Sequence, residues 1–452
     1  MPSSGLPGQD ITGTIYALSS APGRAGVAVV RLSGPGAGPA LTALAGRLPP
    51  PRQAARALLK DATGGAIDDA LVLWFPGPGS FTGEDVAEFH IHGGRAVLAA
   101  LFAALRARPG LRLAEPGEFS RRAFAHGKLD LTQAEAIADL IDAETEAQRR
   151  QGLTQLQGEL GRLYERWRQS LLRALAHLEA DIDFPEEDLP EGVADAVKPQ
   201  VRALSAELAA HLADNRRGER LRDGVGVVIL GAPNVGKSSL LNALARREAA
   251  IVSDIAGTTR DIVEVHLDLG GYPVVLADTA GLRETADRIE SEGVRRALAR
   301  ADSADLKLVV IDAAAWPDLP AATAALIDSD TLLIANKTDT RPLPEGASYQ
   351  GRPVLPLSVS TGAGLDELLE LLGTEIAARY SPSGTASLTR ARHREALEHC
   401  HAALARFLAN DGDTELAAED LRLAARALGR ITGSVGVEDI LDIVFRDFCI
   451  GK

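Results

Sequence analysis

With 452 residues, 46% hydrophobic and 24% charged, the chain has the balance of a soluble globular protein of roughly two to four domains, and no apolar run reaches the ~20 residues a membrane span requires. A formal net charge of −14 argues against a protein that grips nucleic acid alone through a basic stripe, so any RNA substrate is expected to be held partly by another protein. Two cysteines, Cys400 and Cys449, argue against a disulfide framework and suit a reducing, cytoplasmic compartment.

Residues 1–120 mix short β-rich runs (GVAVVRLSG, DALVLWFPG, VAEFHIHGG) with Gly/Pro turns and one short helical run, RAVLAALFAALRA. That texture predicts a compact α+β domain. The opening MPSSGLPGQD has neither a basic n-region nor an apolar h-region, so no signal peptide is expected. His90 and His92 in EFHIH fall on one strand face, but with no third ligand in view the pair is not read as a metal site.

From about residue 130 the texture turns helical. Leu153, Leu156, Leu160, Leu163, Trp167, Leu171 and Leu175 recur at spacings of three and four, predicting one apolar stripe along a long helix that Gly152, Gly158 and Gly161 weaken locally. Helical sequence resumes after 385, where Cys400 is expected in the core. Near the end, Cys449 is expected as a buried small hydrophobe rather than a reactive thiol.

Between the helical segments, residues 224–379 alternate strand and helix, as in a doubly wound parallel α/β domain inserted into a helical one. Gly270-Gly271 between VEVHLDL and YPVVLAD predicts a hairpin. VGVVIL runs into GAPNVGKSS, residues 231–239, and then into a helical segment; this is the strand–loop–helix context that a phosphate-binding loop needs. Its glycines let backbone N–H groups curl round phosphates, Lys237 reaches the β- and γ-phosphates, and Ser238 offers a hydroxyl to Mg²⁺.

DTAG, residues 278–281, ends a strand: Asp278 is placed for the outer shell of Mg²⁺, and the Gly281 N–H for the γ-phosphate. NKTD, residues 336–339, ends another. The Asp339 carboxylate can accept two hydrogen bonds from guanine N1 and N2, Asn336 would meet N7, and the Lys337 stem would lie along the ring. SVS, residues 358–360, stands where a third base contact is expected. Together the four motifs specify GTP. Its expected contacts are Asn234, Val235, Gly236, Lys237, Ser238, Ser239, Ser253, Asp254, Ile255, Ala256, Gly257, Thr258, Thr259, Asp278, Thr279, Ala280, Gly281, Asn336, Lys337, Thr338, Asp339, Ser358, Val359 and Ser360. Thr259 is the first choice for the Mg²⁺ threonine in GTTRD, with Thr258 the alternative.

One position is at odds with the GTPases that orient water through a glutamine beside this turn: Gly281 is followed by Leu282, which can neither donate nor accept a hydrogen bond. Lysine is scarce, with seven against 41 arginines, so the lysines that remain mark sites where a compact ammonium does what a planar fork cannot.

RLSG, FTGEDVAEFHIHGG, PGEFSRRAFAHGKLDLTQAEA, GAPNVGKSS, DIAGTTRD, DTAGLRE and the terminal FCIGK, in that order over nearly the whole chain, resemble the MnmE (TrmE) family of tRNA-modification GTPases. The resemblance implies a multidomain α/β protein. Its parts would be an α+β tetrahydrofolate-binding and dimerisation domain (1–125), a discontinuous helical domain (126–220 and 380–452) and an inserted Ras-like P-loop G domain (221–379). It implies a cytoplasmic homodimer that works with the flavoprotein MnmG (GidA). The pair would modify C5 of the tRNA wobble uridine to aminomethyl or carboxymethylaminomethyl forms, with a one-carbon unit from 5-formyl- or 5,10-methylene-tetrahydrofolate.

By the same resemblance K⁺ replaces an arginine finger, held by Asn234 and by backbone carbonyls around Ser253, Ile255 and Thr258; oxygen ligands suit so hard a cation. Glu290, twelve residues past Asp278, would polarise the attacking water, with Lys237 as the other catalytic residue. Folate contacts would fall on Arg31, Glu88, Lys128 and Lys452. From the residues alone, Asn234 also reads as a turn former and Glu290 as a helix N-terminal glutamate. Val359 departs from the alanine more usual in the family. The competing reading, a GTP-switched assembly factor as in ribosome biogenesis, leaves RLSG, PGEF and FCIGK without a purpose.

Overall fold

The computed structural model describes residues 13–183, 193–247, 249–251, 264–278, 304–381, 387–410, 413–446 and 448–451. The chain divides into two compact units. One comprises Met1–Ala138, Gln155–Arg202 and His399–Lys452; the other comprises Asp139–Thr154 and Ala203–Glu398.

The first unit is built on a six-stranded sheet of β1 (Thr14–Leu18), β2 (Ala25–Ser33), β3 (Ala55–Lys60), β4 (Ala66–Phe75), β5 (Val86–Gly93) and β6 (Leu111–Leu113), in the order β3-β4-β5-β2-β1-β6. Only the β1–β6 pair is parallel. Strand alternation sorts the faces. Tyr16, Val30, Leu32, Leu59, Val72, Phe89 and Ile91 pack against Leu41 and Leu44 of α1 (Ala37–Ala45) and Leu101 and Leu105 of α2 (Arg95–Arg106). Each such side chain contributes about 1.5–3 kcal/mol of burial. Arg31, Glu88 and His90 are left on the opposite face.

Helices α3 (Glu118–Ala125), α4 (Leu131–Ile141) and α5 (Glu146–Leu156) follow. The single long helix expected from the leucine stripe is two: α5 stops at Leu156 and α6 (Glu159–Asp183) begins three residues later. Gly158, at φ +80°, makes the break, and its N–H closes a turn on the Gln155 carbonyl. On α6 Leu160, Trp167, Leu171 and Leu175 are buried, as the spacing predicts, whereas Leu153 on α5 is exposed. Cys400 is in the core, where burial pushes its thiol up to about 12.

The second unit holds α7 residues after Arg202 (α7 is Val193–Leu212), α8 (Arg217–Asp223) and a seven-stranded sheet. The strands are β7 (Val225–Leu230), β8 (Glu264–Leu269), β9 (Tyr272–Asp278), β10 (Leu306–Asp312), β11 (Thr331–Asn336), β12 (Ser348–Tyr349) and β13 (Arg352–Pro356), in the order β12-β13-β11-β10-β7-β9-β8. The five central strands are parallel, and their near-continuous apolar runs reflect two covered faces. Val225, Val227 and Ile229 face Leu240 and Leu244 of α9 (Lys237–Leu244). Val228, Leu230, Val309 and Ile311 join the core on the other side. A short helix, α10 (Ala321–Ala324), precedes β11, and α11 (Leu365–Tyr380) sends Leu368, Leu372 and Ile376 into the first of these cores. Gly270 and Gly271, at φ +63° and +90°, make the expected tight turn between antiparallel β8 and β9.

In the first unit α13 (Thr414–Thr432) packs on α6, and its buried residues include Ala417, Leu421, Ala424, Ala425, Leu428 and Gly429. The two flank the sequence of α12 (Ala391–Ala409), and α14 (Glu438–Arg446) closes the order. Among the described residues no helix is long and apolar enough to cross a membrane.

The tail after α14 turns out differently from expectation at Cys449, which is exposed. Phe448 and Gly451 take the buried positions, Ile450 bridges to Pro116, and Cys449 and Ile450 between them are both exposed. The Ser19 hydroxyl donates to the Gly451 carbonyl at 3.0 Å. Gly451 has φ +102°, and a Cβ there would lie 2.1 Å from the Leu18 carbonyl oxygen.

Candidate functional site

The loop between β7 and α9 is shaped by backbone that side chains resist. Gly231 has φ +144°, and a Cβ on it would lie 2.2 Å from the Val310 carbonyl oxygen; Gly236 has φ +102°, and a Cβ would lie 2.3 Å from Asn336 Nδ2. Asn234 also sits in the left-handed region, at φ +62°, and is exposed at the loop's mouth. Asparagine is among the residues that tolerate this. Val235 is buried beneath the loop, and Ser238 and Ser239 are exposed in the first turn of α9.

Lys237 is buried and folds back over the loop, its ammonium donating to the carbonyls of Gly231 and Ala232 at 2.9 Å each. The loop is therefore a cradle closed round a cation. An anion that enters meets the Lys237 charge, backbone N–H groups and the N-terminal end of α9 together.

The end of β11 is tied to this loop. Asn336 is 3% exposed; its Nδ2 donates to the Val235 carbonyl at 2.8 Å and its Oδ1 accepts from the Val359 N–H at 3.1 Å. One buried amide thus fixes the phosphate loop to the 358–360 loop, and its second Nδ2 hydrogen remains available to a base nitrogen by valence. Val359 contributes backbone, so a valine in place of alanine leaves this bond unchanged.

Lys337, at φ +67°, reaches the Asn234 carbonyl at 2.9 Å and the Asp312 carboxylate at 2.7 Å. That hydrogen bond holds the Asp312 carboxyl below its ordinary range. Asp339 is exposed, and its Oδ1 accepts from the buried Ser358 hydroxyl at 2.6 Å, with Ser360 3.0 Å beyond. The Ser358 bond keeps the Asp339 carboxyl low, so it is ionised for work as an acceptor. Thr338 bonds the Leu357 carbonyl through both N–H and hydroxyl and joins the two base loops.

Asp278 ends β9 beside Ile229. Ser253, Asp254, Ile255, Ala256, Gly257, Thr258, Thr259, Thr279, Ala280, Gly281, Leu282, Glu290 and Lys452 lie outside the described residues.

A second cluster lies in the N-terminal sheet. Arg31 on β2 and Glu88 on β5 are cross-strand partners. Arg31 Nε meets Glu88 Oε1 at 2.9 Å, and His90 Nε2 meets Glu88 Oε2 at 3.1 Å. The Arg31 guanidinium lies 5.6 Å from the Phe81 ring centre and 5.9 Å from that of Phe119. Lys128 donates to the Pro78 carbonyl at 3.0 Å, on the loop that carries Phe81. Arg31, Glu88 and Lys128, far apart in sequence, are thus brought round one loop. His92 is spent on Asp68, at 2.8 Å.

Sequence reading missed Asp312, His90 as a partner of Glu88, and a buried network below the cluster. Arg122 is fully buried and bonds Glu84 at 3.0 and 3.1 Å and Glu118 at 3.0 Å.

A model of the GTP-binding protein TrmE N-terminus matches residues 14–128, and one of the MnmE helical domain matches residues 131–449. A tRNA modification GTPase MnmE of Paramagnetospirillum magneticum is 61% identical over 97% of this chain and 99% of its own length. That of Rhodospirillum rubrum is 59% identical over the same shares. Among solved structures, the G domain of the T. maritima FeoB iron transporter is 29% identical over 35% of this chain and 99% of its own, at a TM-score of 0.25.

Proposed function

The chain belongs to the MnmE (TrmE) family, GTPases of tRNA modification, and on that premise we propose that it is a potassium-activated, folate-using member acting on the wobble uridine. The observation that carries the nucleotide half is the Asn336 amide. It couples the phosphate loop to the base loop, so guanine and phosphates are read by one rigid unit. Mg²⁺ fits the donor set offered by the exposed Ser238 hydroxyl at the start of α9, with Thr259 as its second protein ligand.

K⁺ fits at Asn234, an exposed amide on a loop whose carbonyl Lys337 holds in place; the backbone oxygens of Ser253, Ile255 and Thr258 complete the proposed set. A bound K⁺ supplies positive charge beside the phosphates where negative charge develops. Glu290 is proposed to orient the attacking water, the task Leu282 cannot perform. An arginine finger is worth ~10³–10⁵ in rate, and K⁺ with dimerisation is asked for a similar amount.

In the N-terminal domain a tetrahydrofolate derivative, 5-formyl or 5,10-methylene, fits Arg31, Glu88 and Lys128, with Lys452 added. The Glu88 carboxylate keeps acceptor capacity for a pterin amide edge, and the cations suit the glutamate tail. Bound folate supplies the one-carbon unit. The partner is proposed to be the flavoprotein MnmG, which would hold most of the tRNA against a chain of net charge −14. We also propose a cytoplasmic homodimer and domain limits of 1–125, 126–220, 221–379 and 380–452. The deciding experiment is GTP turnover in KCl against NaCl. More than tenfold faster hydrolysis in K⁺ is expected, lost in Asn234→Ala with nucleotide affinity nearly intact. Equal rates in both salts would overturn the cation reading.

A further inference from the structure

We propose that Arg122 is a positioning residue for the N-terminal pocket: from beneath, it sets the arrangement of Arg31, Glu88 and the two aromatic rings on which Arg31 rests. The inference rests on the folate reading of that pocket.

Arg122 leads the largest fully buried side chains among the described residues, at 1% exposure, so it touches no ligand. An arginine in such a place is tolerated only if its charge is matched; both terminal nitrogens of Arg122 are bonded, and its Nε has no hydrogen-bond partner. Nη1 meets the Gly13 carbonyl at 2.9 Å and both Glu84 oxygens, and Nη2 meets Glu118 Oε1. Each carboxylate anchors a different wall of the pocket. Glu84 accepts from Ser33 at 2.6 Å, and Ser33 in turn meets Thr82 at 2.7 Å, which pins the loop carrying Phe81 to β2 two residues past Arg31. Glu118 opens α3, takes a second fork from Arg112 at 2.6 and 2.8 Å, and fixes the helix that carries Phe119. Phe119 and the half-buried Phe81 share one small apolar core with Ile15, Ala17 and Ala114. Among the described residues Arg122 is the one side chain bonded to both anchors. A lysine keeps the charge, but its single nitrogen cannot span Gly13, Glu84 and Glu118 at once.

The test is Arg122→Lys in the full chain, with Glu84→Gln as a second variant should the first fail to show a cooperative melting transition. NMR follows the Arg31 Nε–H and His90 ring signals, and calorimetry follows binding of 5-formyltetrahydrofolate in Arg122→Lys, Arg31→Ala and the double variant. The expected result is that the Arg31 and His90 signals move, affinity falls about tenfold, and the double variant binds no worse than Arg31→Ala alone, because one residue acts through the other. Unmoved signals would overturn the inference whatever the affinity does. Additive losses in the double variant would also overturn it, since a merely structural arginine would act independently. If the signals move but neither single variant alters affinity, the folate reading falls and the positioning stands.

Discussion

Gly231, Asn234 and Gly236 shape the nucleotide loop by backbone angles within one contiguous stretch, and the carbonyls and N–H groups of that stretch do the holding. The N-terminal cluster gathers Arg31, Phe81, Glu88, Phe119 and Lys128 from separate strands, loops and a helix, and is held mainly by side chains: the Arg31–Glu88 ion pair, the two rings beside the Arg31 guanidinium, and the Lys128 bond to the Pro78 carbonyl. A backbone site depends little on any one side chain except where chemistry or base identity is decided. A side-chain site depends on every pair, because each partner removed leaves a half-buried charge behind.

That contrast can be broken by substitution. Glu290→Ala should give the largest change: turnover lower by ~10²–10⁴, the usual size of a water-orienting contribution, with little change in Kd for a non-hydrolysable GTP analogue. Loss of analogue binding in step with turnover would move Glu290 out of this role. Asp339→Asn comes next. It replaces the acceptor proposed for the guanine N–H groups by an amide that also donates, and GTP affinity should fall at least about 100-fold. Xanthosine triphosphate, whose 2-oxo group accepts where guanine donates, should regain part of the loss; tight GTP binding by the variant would remove NKTD from the base.

In the other region, Glu88→Gln should weaken 5-formyltetrahydrofolate about tenfold in a calorimetric titration while GTP affinity holds, since charge pairing there is local. Equal loss at both ligands would mean that the residue serves folding alone.

The smallest effect is a pH shift. Ser358 keeps the Asp339 carboxyl below its ordinary range, so on the proposed base contact guanine binding should be present above that low value and lost as pH falls through it. Ser358→Ala lets the group rise toward the usual carboxylate range, and the acid limb of GTP binding should move to higher pH with binding at pH 8 changed only severalfold. An unmoved limb would show that Ser358 does not tune Asp339.

The same contrast explains what could be read from sequence. GAPNVGKSS and NKTD were legible because a strand, a turn and a helix start occur in order, and glycine marks where φ turns positive. The Gly270-Gly271 hairpin was legible for the same local reason. Asn336 reads from sequence as a base contact; that its amide also ties Val235 to Val359 was not legible, because that role is set by loops more than twenty positions away. Gly158 was legible as a weak point but not as a break, because the leucine spacing runs through it. Cys449 was expected inside because a small hydrophobe near a folded C-terminus fits a core, but Phe448, the larger side chain, takes the buried place and Cys449 is exposed. Nothing local announces the Arg122 network, since Glu84, Glu118 and Ser33 meet only once the sheet has formed.

The bond from Ser19 to Gly451 has a consequence for the birth of the chain. Its partners are 432 positions apart, and the positive φ of Gly451 lets the tail lie against the end of the first strand. At roughly 5–20 residues per second of synthesis, that edge of the N-terminal domain waits on the order of 20–90 s for its last piece. Chains cut short before Gly451 would leave the ribosome with the edge of their first domain unsealed, and so bear the mark of incompleteness where the protein began to fold.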